Sequence, residues 1–144
     1  RGKAAPDESL AKEKTEKNKL DLQIKKPEEP IYIMADGRHF WRVIDNLMNN
    51  ICKYAQPETR VYINLEQTGE KVQITFRNTS RYPLNISSEE LMERFVRGDA
   101  SRNTEGSGLG LSIARSLTQL QHGTFSLTID GDLFKAALTF PRIP

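Results

Sequence analysis

Asn46, Asn50 and Lys53 recur at the three- and four-residue spacing that stacks side chains on one face of a helix. With Asn46 at zero and ~100° per residue, Asn50 falls at about 40° and Lys53 at about −20°, beside His39 at about 20° and Arg42 at about −40°. Phe40, Val43, Ile44, Leu47, Ile51 and Tyr54 fill an arc from about 60° to about 160°, which reads as a core face. A polar stripe beside such a face can simply meet water. Against that, Asn costs on the order of 0.5 kcal/mol relative to Ala in a helix, and solvated stripes usually use Glu, Lys, Gln or Arg. A carboxamide oxygen can ligate Mg²⁺, and an ammonium one turn on can meet a phosphate. Together they suit a nucleoside triphosphate.

Gly106-Ser107-Gly108-Leu109-Gly110-Leu111 opens a second helix. Glycines let backbone N–H groups approach an anion, and the free N–H groups of a helix start favour phosphate. The spacing is G-x-G-x-G, one residue short of a dinucleotide fingerprint, and no Gly-Lys-Ser/Thr follows, so it is not a P-loop. A flexible loop with a helix start is the plainer alternative. Glu93-Arg94-Phe95-Val96-Arg97-Gly98-Asp99 precedes this stretch, and Arg102 follows. Arg94, Arg97 and Arg102 could reach a terminal phosphate or could be solvated surface charges. Phe95 suits hinge or core packing.

These groups need elements to position them. Asp36 is a suitable N-cap for a helix from Gly37 to about Ala55, and Pro57 forbids its continuation. Alternation predicts strands at Leu20 to Ile24, Ile31 to Ala35, Val61 to Leu65 and Val72 to Phe76, the last two joined through Thr68-Gly69-Glu70. Ser87-Ser88-Glu89-Glu90 reads as a capping box for a helix through Phe95, and Gly98 to Ser107 as a mobile loop. A helix from about Gly108 to Gln121 is stopped by Gly123, and Asp130-Gly131 turns a closing hairpin of Thr124 to Ile129 and Leu133 to Phe140. Arg1 to Pro6 reads as an untethered end, and Asp7 to Lys19 as a short, weakly packed helix with a solvated charged face. The sum is an α/β two-layer sandwich (α+β): residues 1–19 form a flexible N-terminus with a charged helix, and residues 20–144 form one domain.

Bulk properties narrow the class. The chain has 144 residues, 37% apolar and 28% charged, with a net charge of +2, which suits one globular domain and gives no polyanion-binding bias. No nucleic-acid partner is expected. Cys52 is the single cysteine, so no internal disulfide exists, and it reads as a small, partly buried side chain. No apolar run approaches the ~20 residues of a membrane span and no signal peptide opens the chain.

Taken together the segments resemble the ATP-binding catalytic domain of bacterial sensor histidine kinases, within the superfamily that includes gyrase, mismatch-repair and heat-shock ATPases. Asn46-Leu47-Met48-Asn49-Asn50-Ile51-Cys52-Lys53-Tyr54 resembles the family's N box, Glu93 to Asp99 its F box, and Gly106 to Leu111 its G-x-G-L-G-L box. Phe134 to Pro141 is similar to its closing strand. The resemblance covers about Leu20 to Pro141. It implies a Bergerat-type fold, a mixed sheet backed by helices, with ATP between the N-box helix and a flexible lid. It implies that Asn50 ligates Mg²⁺, that Lys53 contacts phosphate, that Tyr54 lies near the nucleoside and that Asn46 positions groups near the γ-phosphate. Hydrolysing cousins such as gyrase carry a glutamate where Asn46 stands, which favours transfer over hydrolysis here. Arg94, Phe95, Arg97, Arg102 and the run Gly106, Ser107, Gly108, Leu109, Gly110 and Leu111 would complete the nucleotide site. Asn50 and Gly108 must then share one pocket.

Two departures stand out. The family's D-x-G-x-G box, whose Asp accepts a hydrogen bond from adenine, is replaced by Asn78-Thr79-Ser80. Asn78 keeps a carbonyl acceptor but no charge, and the glycines that make room for the base are missing, so a reshaped adenine end with lower affinity is expected. The only histidines are His39 and His122, neither in an acceptor-like H-E-x-x-T-P setting. The resemblance therefore implies that the phosphorylated histidine lies on a separate dimerisation and phosphoacceptor domain. ATP and ADP, that domain and a response regulator of a two-component phosphorelay are the implied partners. The setting implied is a cytoplasmic domain of a membrane-anchored parent protein. Two rivals share the fold: an anti-sigma-factor-like serine kinase, and a non-catalytic member that only binds a nucleotide or a partner.

Overall fold

The computed structural model describes residues 2–4, 8–29, 31–81 and 109–142. In chain order these hold β1 (Gly2–Ala4), α1 (Glu8–Lys17), β2 (Asp21–Lys25), β3 (Ile33–Ala35), α2 (Gly37–Tyr54), β4 (Arg60–Thr68), β5 (Lys71–Thr79), α3 (Leu109–Leu120), β6 (Thr124–Asp130) and β7 (Leu133–Pro141). Five strands form a mixed sheet in the order β2-β4-β5-β7-β6, in which β2 and β4 run parallel and the other neighbours antiparallel. β1 and β3 make a second, two-stranded sheet, tied to the end of β7 by a bridge between Ile33 and Arg142. This is the expected mixed sheet backed by helices.

Period-two patterning decides which face of the sheet the helices cover. Val72, Ile74, Phe76 and Asn78 alternate along β5 and are all buried, as are Phe134, Ala136, Leu138 and Phe140 along β7. The hairpins turn at the two expected glycines, Gly69 (φ 62°) and Gly131 (φ 60°), both in left-handed backbone. From the helix layer, Phe40, Val43, Leu47, Met48 and Ile51 of α2 enter the core. Each such side chain contributes roughly 1.5–3 kcal/mol of transfer free energy. Phe40 meets Phe140 edge to face, with ring centroids 5.5 Å apart.

Three expectations are corrected. The N-terminal end is tethered: Gly2–Ala4 pairs antiparallel with Ile33–Ala35. Gly-Lys-Ala has no apolar alternation, so the sequence gives no sign of this strand. Helix α1 is packed rather than merely solvated. Ala11 and Thr15 are buried, and the Thr15 hydroxyl donates to the Ala11 carbonyl at 2.8 Å. Finally, Gly123 is not the left-handed cap of α3. His122 takes that conformation (φ 65°), while the Gly123 N–H reaches the Thr118 carbonyl at 2.9 Å. Gly123 is needed for space, since a Cβ there would lie 2.8 Å from the Thr139 carbonyl oxygen. The expected helix through Phe95 and the loop from Gly98 to Ser107 lie outside the described residues.

Candidate functional site

Helix α2 forms where the sequence predicts because both ends are capped. The Asp36 carboxylate accepts from the N–H groups of Arg38 and His39, both at 3.0 Å. The His39 N–H bond above all holds the Asp36 carboxyl below its ordinary range. At the other end the chain leaves the helix at Ala55 and is stapled to the end of β5. Gln56 N–H donates to the Thr79 carbonyl at 2.8 Å, and Arg81 N–H to the Tyr54 carbonyl at 2.7 Å. An isolated bridge joins Ala55 and Ser80 between these bonds. The last turn of α2, with Lys53 and Tyr54, is thereby fixed against the strand end that carries Asn78.

Helix α3 packs along α2. The Gln121 side chain just past its end accepts the Asp36 N–H at 2.9 Å and donates to the Leu117 carbonyl at 2.9 Å. The C-terminus of α3 therefore sits at the N-terminus of α2. Twelve residues at ~1.5 Å rise make α3 about 18 Å long. Its first residues are Leu109, Gly110 and Leu111, of which Leu111 is buried in the core. Gly106, Ser107 and Gly108, and likewise Arg94, Phe95, Arg97 and Arg102, lie outside the described residues.

The stripe itself is arranged as the helical spacing requires. Asn46, Asn50 and Tyr54 are half-buried and Lys53 is exposed, its ammonium 5.5 Å from the Tyr54 ring centroid. The Nδ2 of Asn46 is buried and has no hydrogen-bond partner, and neither has the buried Oδ1 of Asn78. Asn78 occupies an inward position of β5, in line with Ile74 and Phe76, and is 3% exposed. A carboxamide in a row of core positions with an unmade hydrogen bond costs about 1–3 kcal/mol unless something supplies the missing donor. One unmet donor and one unmet acceptor thus belong to residues already singled out by type and spacing.

A neighbouring polar contact was not legible in the sequence. Lys14 of α1 donates to the Asn49 carboxamide oxygen at 2.6 Å and pairs with Asp45 at 3.5 Å. Thirty-five residues separate Lys14 from Asn49, so no local spacing could reveal the contact. Asp45 is the sole acidic residue of α2 and pairs with Lys14, while Arg38, Arg42 and Lys53 are the helix's cations. That surface suits an anion. Burial raises the Cys52 thiol above its ordinary pKa, with Lys14 and an Asn18 hydrogen bond opposing, so Cys52 is the half-buried packing residue its isolation implied. Among the described residues no cluster of three or more His, Cys, Asp and Glu could hold a metal ion. His39 and His122 both line a cleft of about 290 Å³ at the far end of α2, away from Asn50.

The family model described as "Histidine kinase-, DNA gyrase B-, and HSP90-like ATPase" matches residues 35–142, from the end of β3 to the end of the sheet. The chain belongs to this family. Within it, the relatives are sensor kinases. The domain is 32% identical over 127 residues to the sensor histidine kinase RppB of Synechocystis, covering 87% of this chain and 28% of that protein. It is 37% identical over 101 residues to the Escherichia coli protein titled "Probable sensor protein PcoS", covering 69% and 22%. The chain thus spans about a quarter of the length of these relatives. Among solved structures, the nucleotide-free catalytic domain of histidine kinase ThkA superposes with a TM-score of 0.75 at 25% identity, covering 95% of this chain and 90% of that one. The chain is accordingly an ATP-binding catalytic domain of the sensor histidine kinase type, and the histidine kinase domain has the mixed-sheet fold foreseen for it.

Proposed function

We propose that this domain transfers the γ-phosphate of ATP to a histidine on a separate dimerisation and phosphoacceptor domain of its parent protein. One observation carries the site assignment. The end of α2 is locked by backbone hydrogen bonds to the strand end where Asn78 keeps a buried acceptor without a partner. An adenine amine is a donor of the kind that acceptor lacks. On this reading the base lies at Asn78, the nucleoside near Tyr54, and the phosphates run along the stripe towards Asn46 and the start of α3. Lys53 contacts phosphate. Asn46, whose buried Nδ2 lacks an acceptor, positions oxygens near the γ-phosphate. Arg94, Phe95, Arg97 and Arg102 with Gly106, Ser107, Gly108, Leu109, Gly110 and Leu111 supply the lid and the main-chain cradle.

The donor set fits Mg²⁺ held jointly with a nucleotide. Asn50 offers one neutral oxygen, and the described residues hold no acidic cluster that would bind the ion alone. Phosphate oxygens and water would complete its coordination. When bound, Mg²⁺ neutralises phosphate charge. The chain's own residues contribute positioning and electrostatics, which dominate catalysis of phosphoryl transfer. With Asn rather than a carboxylate at position 46, that position supplies no base to activate water, and transfer is favoured over hydrolysis.

Residues 20–144 are the catalytic unit, and residues 1–19 are an addition to it, whose helix α1 meets α2 through Lys14. We place the domain in the cytoplasm, on a membrane-anchored parent that serves a response regulator. Among the described residues no helix is long and apolar enough to cross a membrane.

The test is phosphotransfer from ATP labelled at the γ position, with the parent's phosphoacceptor domain added in trans. Acid-labile, base-stable label on that domain is the expected result. Label on serine would point to the anti-sigma-factor type of kinase. Saturable ATP binding with no transfer would point to a non-catalytic member, an alternative favoured only by the altered Asn78-Thr79-Ser80 segment.

A further inference from the structure

A carboxylate at position 78 could only accept hydrogen bonds. A carboxamide carries one acceptor and two donors on a single planar group, and a half-turn about its Cβ–Cγ bond exchanges them. Asn78 can therefore offer either C=O or NH₂ at the same point. Its Oδ1 has no partner, and its registered neighbours on the flanking strands are Val61 of β4 and Phe134 of β7, both apolar. The group is also 3% exposed, so water does little to screen whatever faces it.

Resting on the nucleotide reading above, we infer that Asn78 reads the 6-position of a purine permissively. Oδ1 accepts from the 6-amine of adenine, and after a half-turn Nδ2 donates to the 6-oxygen of hypoxanthine or guanine. The domain then takes 6-oxopurine triphosphates nearly as well as ATP. An ionised acceptor at the same place would reject the 6-oxo group. Two acceptors would face each other in a buried setting, and sites built around one hydrogen-bonding partner reject its mismatch strongly. Replacing charge by a neutral amide thus exchanges base discrimination for tolerance at this edge.

The experiment is titration calorimetry of the chain with ATP and with inosine triphosphate, each with Mg²⁺. Inosine triphosphate changes the 6-position without adding the 2-amine of guanine. Wild type is expected to bind both with dissociation constants within about tenfold, and Asn78→Asp to widen the preference for ATP by a further tenfold or more. A wild-type preference for ATP beyond about tenfold overturns the inference, as does an Asn78→Asp protein whose preference is unchanged. If the buried charge of Asn78→Asp prevents folding, Asn78→Leu decides. It should weaken both nucleotides by a similar factor, whereas weakening of ATP alone overturns the inference. If neither triphosphate binds to wild type, the nucleotide reading itself has failed, while tight ATP binding with inosine triphosphate rejected removes only the permissive reading.

Discussion

The two ends of α2 are built to different standards. At its N-terminus polar groups are answered. Asp36 caps two N–H groups, and Gln121 accepts the Asp36 N–H while binding its own helix. Towards its C-terminus Asn46 and, on the adjoining strand, Asn78 keep buried polar atoms without partners, although the backbone around them is firmly stapled. A fold that satisfies one end and leaves the other open has made the open end rigid but incomplete. Such an arrangement costs stability unless a ligand completes it.

The largest expected effect breaks the open end alone. Asn50→Ala should weaken Mg-dependent ATP binding about ten- to a hundredfold, matching the ~1.5–3 kcal/mol of a hydrogen bond to a charged group, and should leave the unfolding midpoint unchanged. Calorimetry and denaturant unfolding check the two halves. Gly123→Ala, near the closed end, should do the reverse. Its Cβ would press on the Thr139 carbonyl and on Phe140 and Thr118, which are held by the core. A loss of about 1–3 kcal/mol in denaturant unfolding is expected, with ATP affinity nearly unchanged in the folded fraction.

Gln121→Ala removes the side chain that ties α3 to the start of α2, and a loss of about 1 kcal/mol by the same unfolding measurement is expected. Asn78→Leu sharpens the contrast in the opposite sense. Replacing an unsatisfied carboxamide among apolar neighbours should hold or raise stability, by up to about 1 kcal/mol, while ATP binding falls. The smallest effect is on pH dependence. The Asp36 carboxyl is held below its ordinary range, so its contribution is complete above the unfolded value and is lost as pH falls through the folded one. Thermal melts of Asp36→Asn from neutral pH into the carboxylate range should decline less steeply on the acid side than wild type.

Much of the site was legible because its signals are local. Asn46, Asn50 and Lys53 could be placed on one stripe from helical periodicity, and Asp36 marked where that helix begins, because caps and periodicity act within a few residues. The staple between Tyr54 and Arg81 and the link from Lys14 to Asn49 join residues far apart in the chain, and nothing in either neighbourhood announces the other. The way Gly123 ends α3 was not legible for a related reason. A glycine after a helix signals left-handed backbone locally, whereas here it makes room for β7, and His122 bears the left-handed conformation.

By itself the sequence determined the strands of the main sheet, the spans of α2 and α3, the polar and apolar faces of α2 and the resemblance to histidine kinases, since these are written in types and spacings along one strand of polymer. Tertiary structure alone decided that the end of α3 meets the start of α2 through Gln121 and Asp36, that β1 is tethered to β3, and that Asn46 and Asn78 keep unanswered polar atoms. Whether a buried group finds a partner depends on where distant segments come to rest, and only packing fixes that.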